Sequence, residues 1–156
     1  ADAVNIPVLA NGDITCADKA KAVLQLTGAQ GVMIGRGAQG RPWLPGLIAR
    51  VLAGKPGQAP DVADRFTLMQ RHLSGLHDFY GEFSGLRIAR KHLGWFTDAL
   101  FEDLPDRGLS DLDSGGAATA WRSCFNRAED VEQQHRLLET LRSELAEMSA
   151  SRDRAA

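Results

Sequence analysis

Residues 6–43 limit the fold more than any other part of the chain. They read IPVLANGDI, then a short amphipathic segment, then GVMIGRGAQGRPW. Two short apolar runs, residues 6–10 and 31–34, each end in a glycine-bearing turn, and each turn opens towards a helix. Runs this short and this apolar suit strands buried on both faces. Between them Thr15 is expected as an N-cap, with Asp18 in the carboxylate position of a capping box. Ala22, Val23 and Leu26 fall at helical spacing, and Gly28 is a C′ stop. Strand, helix and strand at this length form one βαβ unit, which implies parallel strands and a right-handed crossover. Two parallel strands need neighbours to bury both faces, and no other βαβ unit follows. The chain is therefore expected to begin inside a larger α/β domain whose earlier strands precede it.

Downstream of the second turn a helix is expected over residues 44–53. The segment GKPGQAP (54–60) packs two Pro and two Gly into seven residues and reads as a linker. This sets the expected organisation: 1–54 as the end of an α/β domain, 55–60 as linker, 61–150 as a helical domain and 151–156 as a disordered tail. Phe66, Met69, Leu73, Leu76 and Tyr80 give residues 61–80 a helical apolar stripe. Residues 81–85 should break that helix and a second should run from 86 to about 100. A looser stretch over 101–116, a helix over about 117–128 and a last, charge-rich helix over about 130–148 complete a small bundle.

Composition narrows the function classes. A content of 44% hydrophobic and 24% charged residues is that of a globular protein. The net charge of −2 gives no global nucleic-acid signal, so a basic surface has to be local. The sequence has no run of 18 apolar residues for a membrane span, and its first residues do not read as a signal peptide. Cys16 and Cys124 are read as free thiols in a reducing cytoplasm.

Gly35, Gly37 and Gly40 spell G-x-G-x-x-G after a strand, the dinucleotide fingerprint. That reading fails because the acidic residue required about 20 positions later would fall in the linker, and Pro42 follows the third glycine almost at once. The better architecture is the last third of a (β/α)₈ barrel, where the final loops bind phosphate. Gly12 and Asp13 would offer N–H groups from one loop and Gly35 and Arg36 from the next, although both segments also read as ordinary tight turns. In the helix that follows residue 85, Arg87, Arg90 and Lys91 lie at i, i+3 and i+4 and share one face, opposite Leu86, Ile88, Ala89, Leu93 and Phe96. Such a stripe reads either as a solvated face or as phosphate contacts to RNA, with His92 and Trp95 beside it. His72 and His77, five apart, do not share a face as a metal pair would, and no metal site is expected. Trp43 and Trp121 read as packing residues.

Three motifs occur in order, IPVLANGDI, GVMIGRGAQGRPW, and HDFYG followed by GLRIARKHLGWF. In these the chain resembles the C-terminal part of bacterial tRNA-dihydrouridine synthases of the DusB-like group, from Ile6 to about Ala128. The resemblance implies a flavoenzyme with an FMN-binding TIM barrel and a C-terminal helical tRNA-binding domain. NADPH reduces the flavin, and the flavin reduces a tRNA uridine to dihydrouridine. By motif match Asn11, Gly12, Asp13, Gly35 and Arg36 hold the FMN phosphate, and Arg87, Arg90, Lys91 and His92 meet tRNA. The family's acid is a cysteine on an upstream barrel loop. Neither Cys16 nor Cys124 matches it, so no catalytic residue is expected in this chain, which alone should be inactive. A cytoplasmic monomer is expected. Two other functions stay open on the residues: an FMN-dependent barrel oxidoreductase with a small-molecule substrate, and a non-catalytic RNA-binding helical module.

Overall fold

The computed structural model describes residues 3–104 and 114–154. The chain divides into two compact units, Ala1–Pro60 and Asp61–Ala156.

The first unit is a βαβ arrangement with one further helix. Strands β1 (Leu9–Gly12) and β2 (Gly31–Ile34) pair in parallel, with Leu9 opposite Gly31 and Gly12 opposite Ile34. Helix α1 (Ala17–Thr27) connects them, and α2 (Leu44–Leu52) follows a single 3₁₀ turn at Arg36–Ala38. The first strand lies further along than the apolar run suggests and takes in Asn11 and Gly12. Pro7 has no N–H to give a ladder, and Val8 is held just outside it by the Gln30 side chain, whose Oε1 accepts from the Val8 N–H at 2.7 Å. Pairing starts where β2 offers a partner.

Helix α1 stops as expected: Gly28 adopts the left-handed conformation (φ 62°) and its N–H bonds the Leu24 carbonyl at 3.0 Å. Its start differs. Cys16, not Thr15, is the N-cap, with no side-chain cap bond. The one-residue shift puts Lys19 at the third helical position and moves Asp18 to the second, so the capping box does not form, though Asp18 still favours the helix dipole. The core consists of Ile14, Ala20, Leu44 and Ile48, with Val23, Val32, Ile34 and Leu47 packed on it. It lies on one side of the sheet. Leu9 and Met33 on the opposite face are exposed, as is Leu26, at 87%.

The second unit is all helical. Helix α3 (Val62–Glu102) begins at Asp61, whose carboxylate accepts from the Asp64 N–H at 2.8 Å. It is interrupted at Gly81 alone, where φ 73° and ψ 169° lie outside what an L side chain tolerates. Residues 82–85, expected as part of the break, are helical. The interruption folds the two halves against each other, as pairs on either side of Gly81 demonstrate. Phe66 meets Phe96 edge-on at 5.3 Å, and Arg65 bonds Asp103 at 2.8 Å. A Cβ on Gly85 would stand 3.0 Å from the His77 Cα. In an unbroken helix residues 77 and 85 would be about 12 Å apart. Gly85 therefore serves close helix packing, not the turn.

Helices α4 (Ser114–Arg127) and α5 (Val131–Asp153) pack on this hairpin and on each other. Helix α5 runs three residues into the stretch expected as a disordered tail. The core is built from Phe66, Met69, Leu73, Leu93, Phe96, Leu100, Phe125, Leu138 and Leu141, all buried. Tyr80, expected on the apolar stripe, is exposed beside the break. The looser stretch expected over 101–116 is helical at 101–102 and 114–116, and its centre, 105–113, lies outside the described residues.

Candidate functional site

Because β1 and β2 are parallel and in register, their C-terminal ends lie side by side. The turns that leave them enclose a cavity of about 360 Å³ lined by Asn11, Gly12, Asp13, Met33, Gly35 and Arg36. All five residues expected at a phosphate are thus gathered at one place. A Cβ at Gly12 or Gly35 would meet nothing within 4 Å, so these glycines leave open space rather than relieve a clash. Gly37 differs: a Cβ there would stand 2.2 Å from the Ile14 carbonyl oxygen, so the fold itself demands glycine. Gly37 is therefore structural, which accounts for part of the G-x-G-x-x-G spacing.

Arg36 Nη2 bonds Asp13 Oδ1 at 2.6 Å. Both side chains are mostly exposed, so the pair is worth at most about 1 kcal/mol and opens readily to a competing anion. The sequence did not suggest this pair; only the parallel register brings the two turns within reach.

In the helical unit the expected tRNA-contacting residues separate. Arg87 and Lys91 are exposed. Each faces a ring: the Arg87 guanidinium lies 5.8 Å from the Phe83 ring centre and the Lys91 ammonium 4.9 Å from that of Trp95. Arg90 is turned inward. Its Nη2 donates to the Ala128 carbonyl at 2.8 Å, just past the end of α4, and its buried Nε has no partner. The i, i+3, i+4 spacing expected to align three cations gives two, because residue 90 lies on the side against which α4 and α5 join. His92 is half-buried, with Nδ1 2.9 Å from His72 Nε2 and its ring 5.3 Å from Trp95.

Behind this surface runs a second histidine contact that the sequence did not suggest. His77 Nδ1 and His135 Nε2 are 3.2 Å apart. His77 Nε2 is 2.9 Å from Gln134 Oε1, and Gln70 Nε2 is 2.9 Å from His135 Nδ1. The direction of the first bond follows from one end. Gln134 Nε2 donates to the Leu86 carbonyl at 3.0 Å, which can only accept. Gln134 Oε1 therefore accepts from His77 Nε2–H. With a single proton on the His77 ring, Nδ1 accepts from His135 Nε2–H and His135 Nδ1 accepts from Gln70. Burial holds the pKa of His135 below its ordinary 6.5, and the neighbouring His77 adds to that. Burial likewise lowers His72, and lowers His92 together with the charges of His72 and Lys91. Among the described residues no three or more His, Cys, Asp or Glu are placed to share a metal ion, and no helix is long and apolar enough to cross a membrane.

Comparison with known proteins gives a consistent answer. The dihydrouridine synthase (Dus) family profile matches residues 1–147. The tRNA-dihydrouridine synthase B of Pseudomonas syringae pv. tomato is 44% identical over 133 residues, which is 85% of this chain and 35% of that protein. The tRNA-dihydrouridine synthase B of Shewanella oneidensis is 41% identical over 145 residues, 92% of this chain and 40% of that protein. A probable tRNA-dihydrouridine synthase of Rickettsia prowazekii is 47% identical over 100 residues, 64% of this chain and 31% of that protein. The chain spans between about a third and two fifths of the length of these curated relatives. With the family profile running almost from end to end, the chain belongs to the dihydrouridine synthase family.

Proposed function

We propose that this chain is the C-terminal part of an FMN-dependent tRNA-dihydrouridine synthase. Its first unit closes a TIM barrel and holds the FMN phosphate through Asn11, Gly12, Asp13, Gly35 and Arg36, and its helical unit grips tRNA. The observation that carries the reading is the cavity where two glycine turns meet at the ends of adjacent parallel strands, the place where (β/α)₈ barrels bind phosphate. The residues fit such a group: Gly12 and Gly35 present backbone without a Cβ, and Arg36 is released from Asp13 at little cost. The exposed Leu9 and Met33 on the sheet face away from the helices support the barrel reading, since that face is the interior of a closed barrel and is packed with apolar side chains.

When bound, the flavin supplies the hydride that reduces the uracil 5,6 bond, with NADPH as the source of electrons. The chain's own residues bind and orient. Arg87 and Lys91 offer charge to RNA phosphates, His92 offers a neutral imidazole, and Arg90 braces the helices beneath them.

The test is made in the complete enzyme with Gly12→Ala and Arg36→Ala. Gly12→Ala has room in the fold but narrows the cavity; Arg36→Ala removes its cation. Both should lower the flavin that copurifies while leaving the far-UV circular dichroism unchanged. Full flavin occupancy in both variants overturns the phosphate assignment. The 156-residue chain alone should form no dihydrouridine; measurable formation overturns its reading as a part of the enzyme.

A further inference from the structure

In the helical unit the large hydrophobic residues exposed among those described are all aromatic and flank one point in the chain. Phe79 and Tyr80 precede Gly81 and Phe83 follows it, with Phe79 80% and Phe83 74% exposed. Rings at a hairpin tip, open to water, mark a surface that meets something. From Phe83 the helix then carries a row at steps of four: Phe83, Arg87, Lys91, Trp95. Residues four apart are neighbours on a helix surface, and both cations of the row lie over the rings at its two ends. The row thus consists of two ring–cation couples, Phe83 with Arg87 and Trp95 with Lys91, spanning about 18 Å of helix.

Among the described residues the charges in this row have no acidic counterpart. Arg65, Arg122, Arg136 and Arg142 of the same unit are each paired with a carboxylate, and Arg90 with a carbonyl. Among the described residues neither Arg87 nor Lys91 has an acidic partner; both have only rings. Such cations interleaved with rings, Phe83 exposed and Trp95 half-buried, complement a polyanion that also carries flat aromatic groups. An unpaired stretch of nucleic acid meets both requirements, because a base stacks on the ring while its phosphates meet the cation. A duplex hides its bases and would engage the cations alone.

We propose that Phe83, Arg87, Lys91 and Trp95 form a stacking face for unpaired nucleotides of tRNA, with Phe83 as the platform for one base and Arg87 and Lys91 on the flanking phosphates. This rests on the reading of the helical unit as the tRNA-gripping part. Phe83 therefore acts in substrate positioning, and Arg90, although one turn away, does not contact the RNA.

The experiment measures binding of an unmodified tRNA transcript to the full chain across a salt titration. Phe83→Leu, which keeps an apolar side chain but removes the ring, should weaken binding about ten-fold without changing the slope of log Kd against log salt. Phe83→Tyr should bind as the unaltered chain does. Arg87→Ala with Lys91→Ala should flatten the salt slope by roughly one to two units. Phe83 is exposed, so its substitutions leave the core intact, and an unchanged circular dichroism spectrum verifies this. Binding by Phe83→Leu within about two-fold of the unaltered chain overturns the proposal and returns the ring to a protein-facing role. If Arg87→Ala with Lys91→Ala still flattens the salt dependence, the tRNA-gripping reading survives that result. No binding of tRNA by the unaltered chain overturns both.

Discussion

Replacing Gln134 with leucine tests the directed hydrogen-bond chain in the helical unit. Gln134 is fully buried and bonds in two directions, accepting from His77 and donating to the Leu86 carbonyl. Leucine approximates its volume and removes both bonds. The Leu86 carbonyl lies within α3 and keeps its intrahelical donor, so its loss is small. His77 is also buried, and its Nε2–H is left without an acceptor, at a cost of about 1–3 kcal/mol. The relay can reverse, with His77 Nδ1–H donating to His135 and the Gln70 amide turning to accept from it. Even then a buried lone pair remains unmet on His77. The expected destabilisation is about 2 kcal/mol, and for a helical unit of this size that lowers the melting temperature by roughly 10 °C. Urea unfolding followed at 222 nm measures it, with an unchanged m-value. A double-mutant cycle with His77→Leu supplies the decisive number: removing both partners should cost clearly less than the sum, with a coupling of about 1 kcal/mol or more. A loss below about 0.5 kcal/mol, or strict additivity, would refute the inferred Gln134–His77 hydrogen bond.

Three further outcomes are expected. The pKa values of His72, His92 and His135 are depressed in the folded chain, so the unfolded state binds more protons as pH falls below 6.5. Stability should therefore be full above that value and decline as pH falls towards the lowered pKa values; a flat profile of melting temperature between pH 7.5 and 5.5 contradicts this, the pH limits being about one unit either side of the ordinary histidine value. Gly81→Ala should destabilise the helical unit by about 1–3 kcal/mol, because its φ of 73° with extended ψ is closed to a side chain; urea unfolding with no shift in midpoint counts against the break as drawn. Arg90→Ala should lower stability by about 1–2 kcal/mol through loss of a charged bond to a carbonyl, while the salt slope of tRNA binding stays as in the unaltered chain; a flattened slope would place Arg90 on the RNA after all.

The sequence by itself determined whatever depends on local chemistry or on a long motif. Gly28 ends α1 because only a residue without a Cβ enters the left-handed region freely, and Gly81 interrupts α3 for a related reason. The apolar stripe at Phe66, Met69 and Leu73 marks a buried helix face by its period, and those residues are buried. The three ordered motifs were sufficient to place the chain in its family. Tertiary structure decided what depends on residues distant in sequence. The extent of β1 is set by where β2 offers partners, not by where its own apolar run begins. Asp13 and Arg36 meet because parallel register aligns two turns 23 residues apart. Arg90 looks like its neighbours Arg87 and Lys91 on a helical wheel, yet it faces the junction of α4 and α5 and bonds a carbonyl there. His72 and His77 do not share a helix face, but each meets another histidine, His92 and His135, once α3 folds at Gly81 and α5 packs against it. A helical period gives a residue's angle about its own axis; only packing decides what stands opposite that angle.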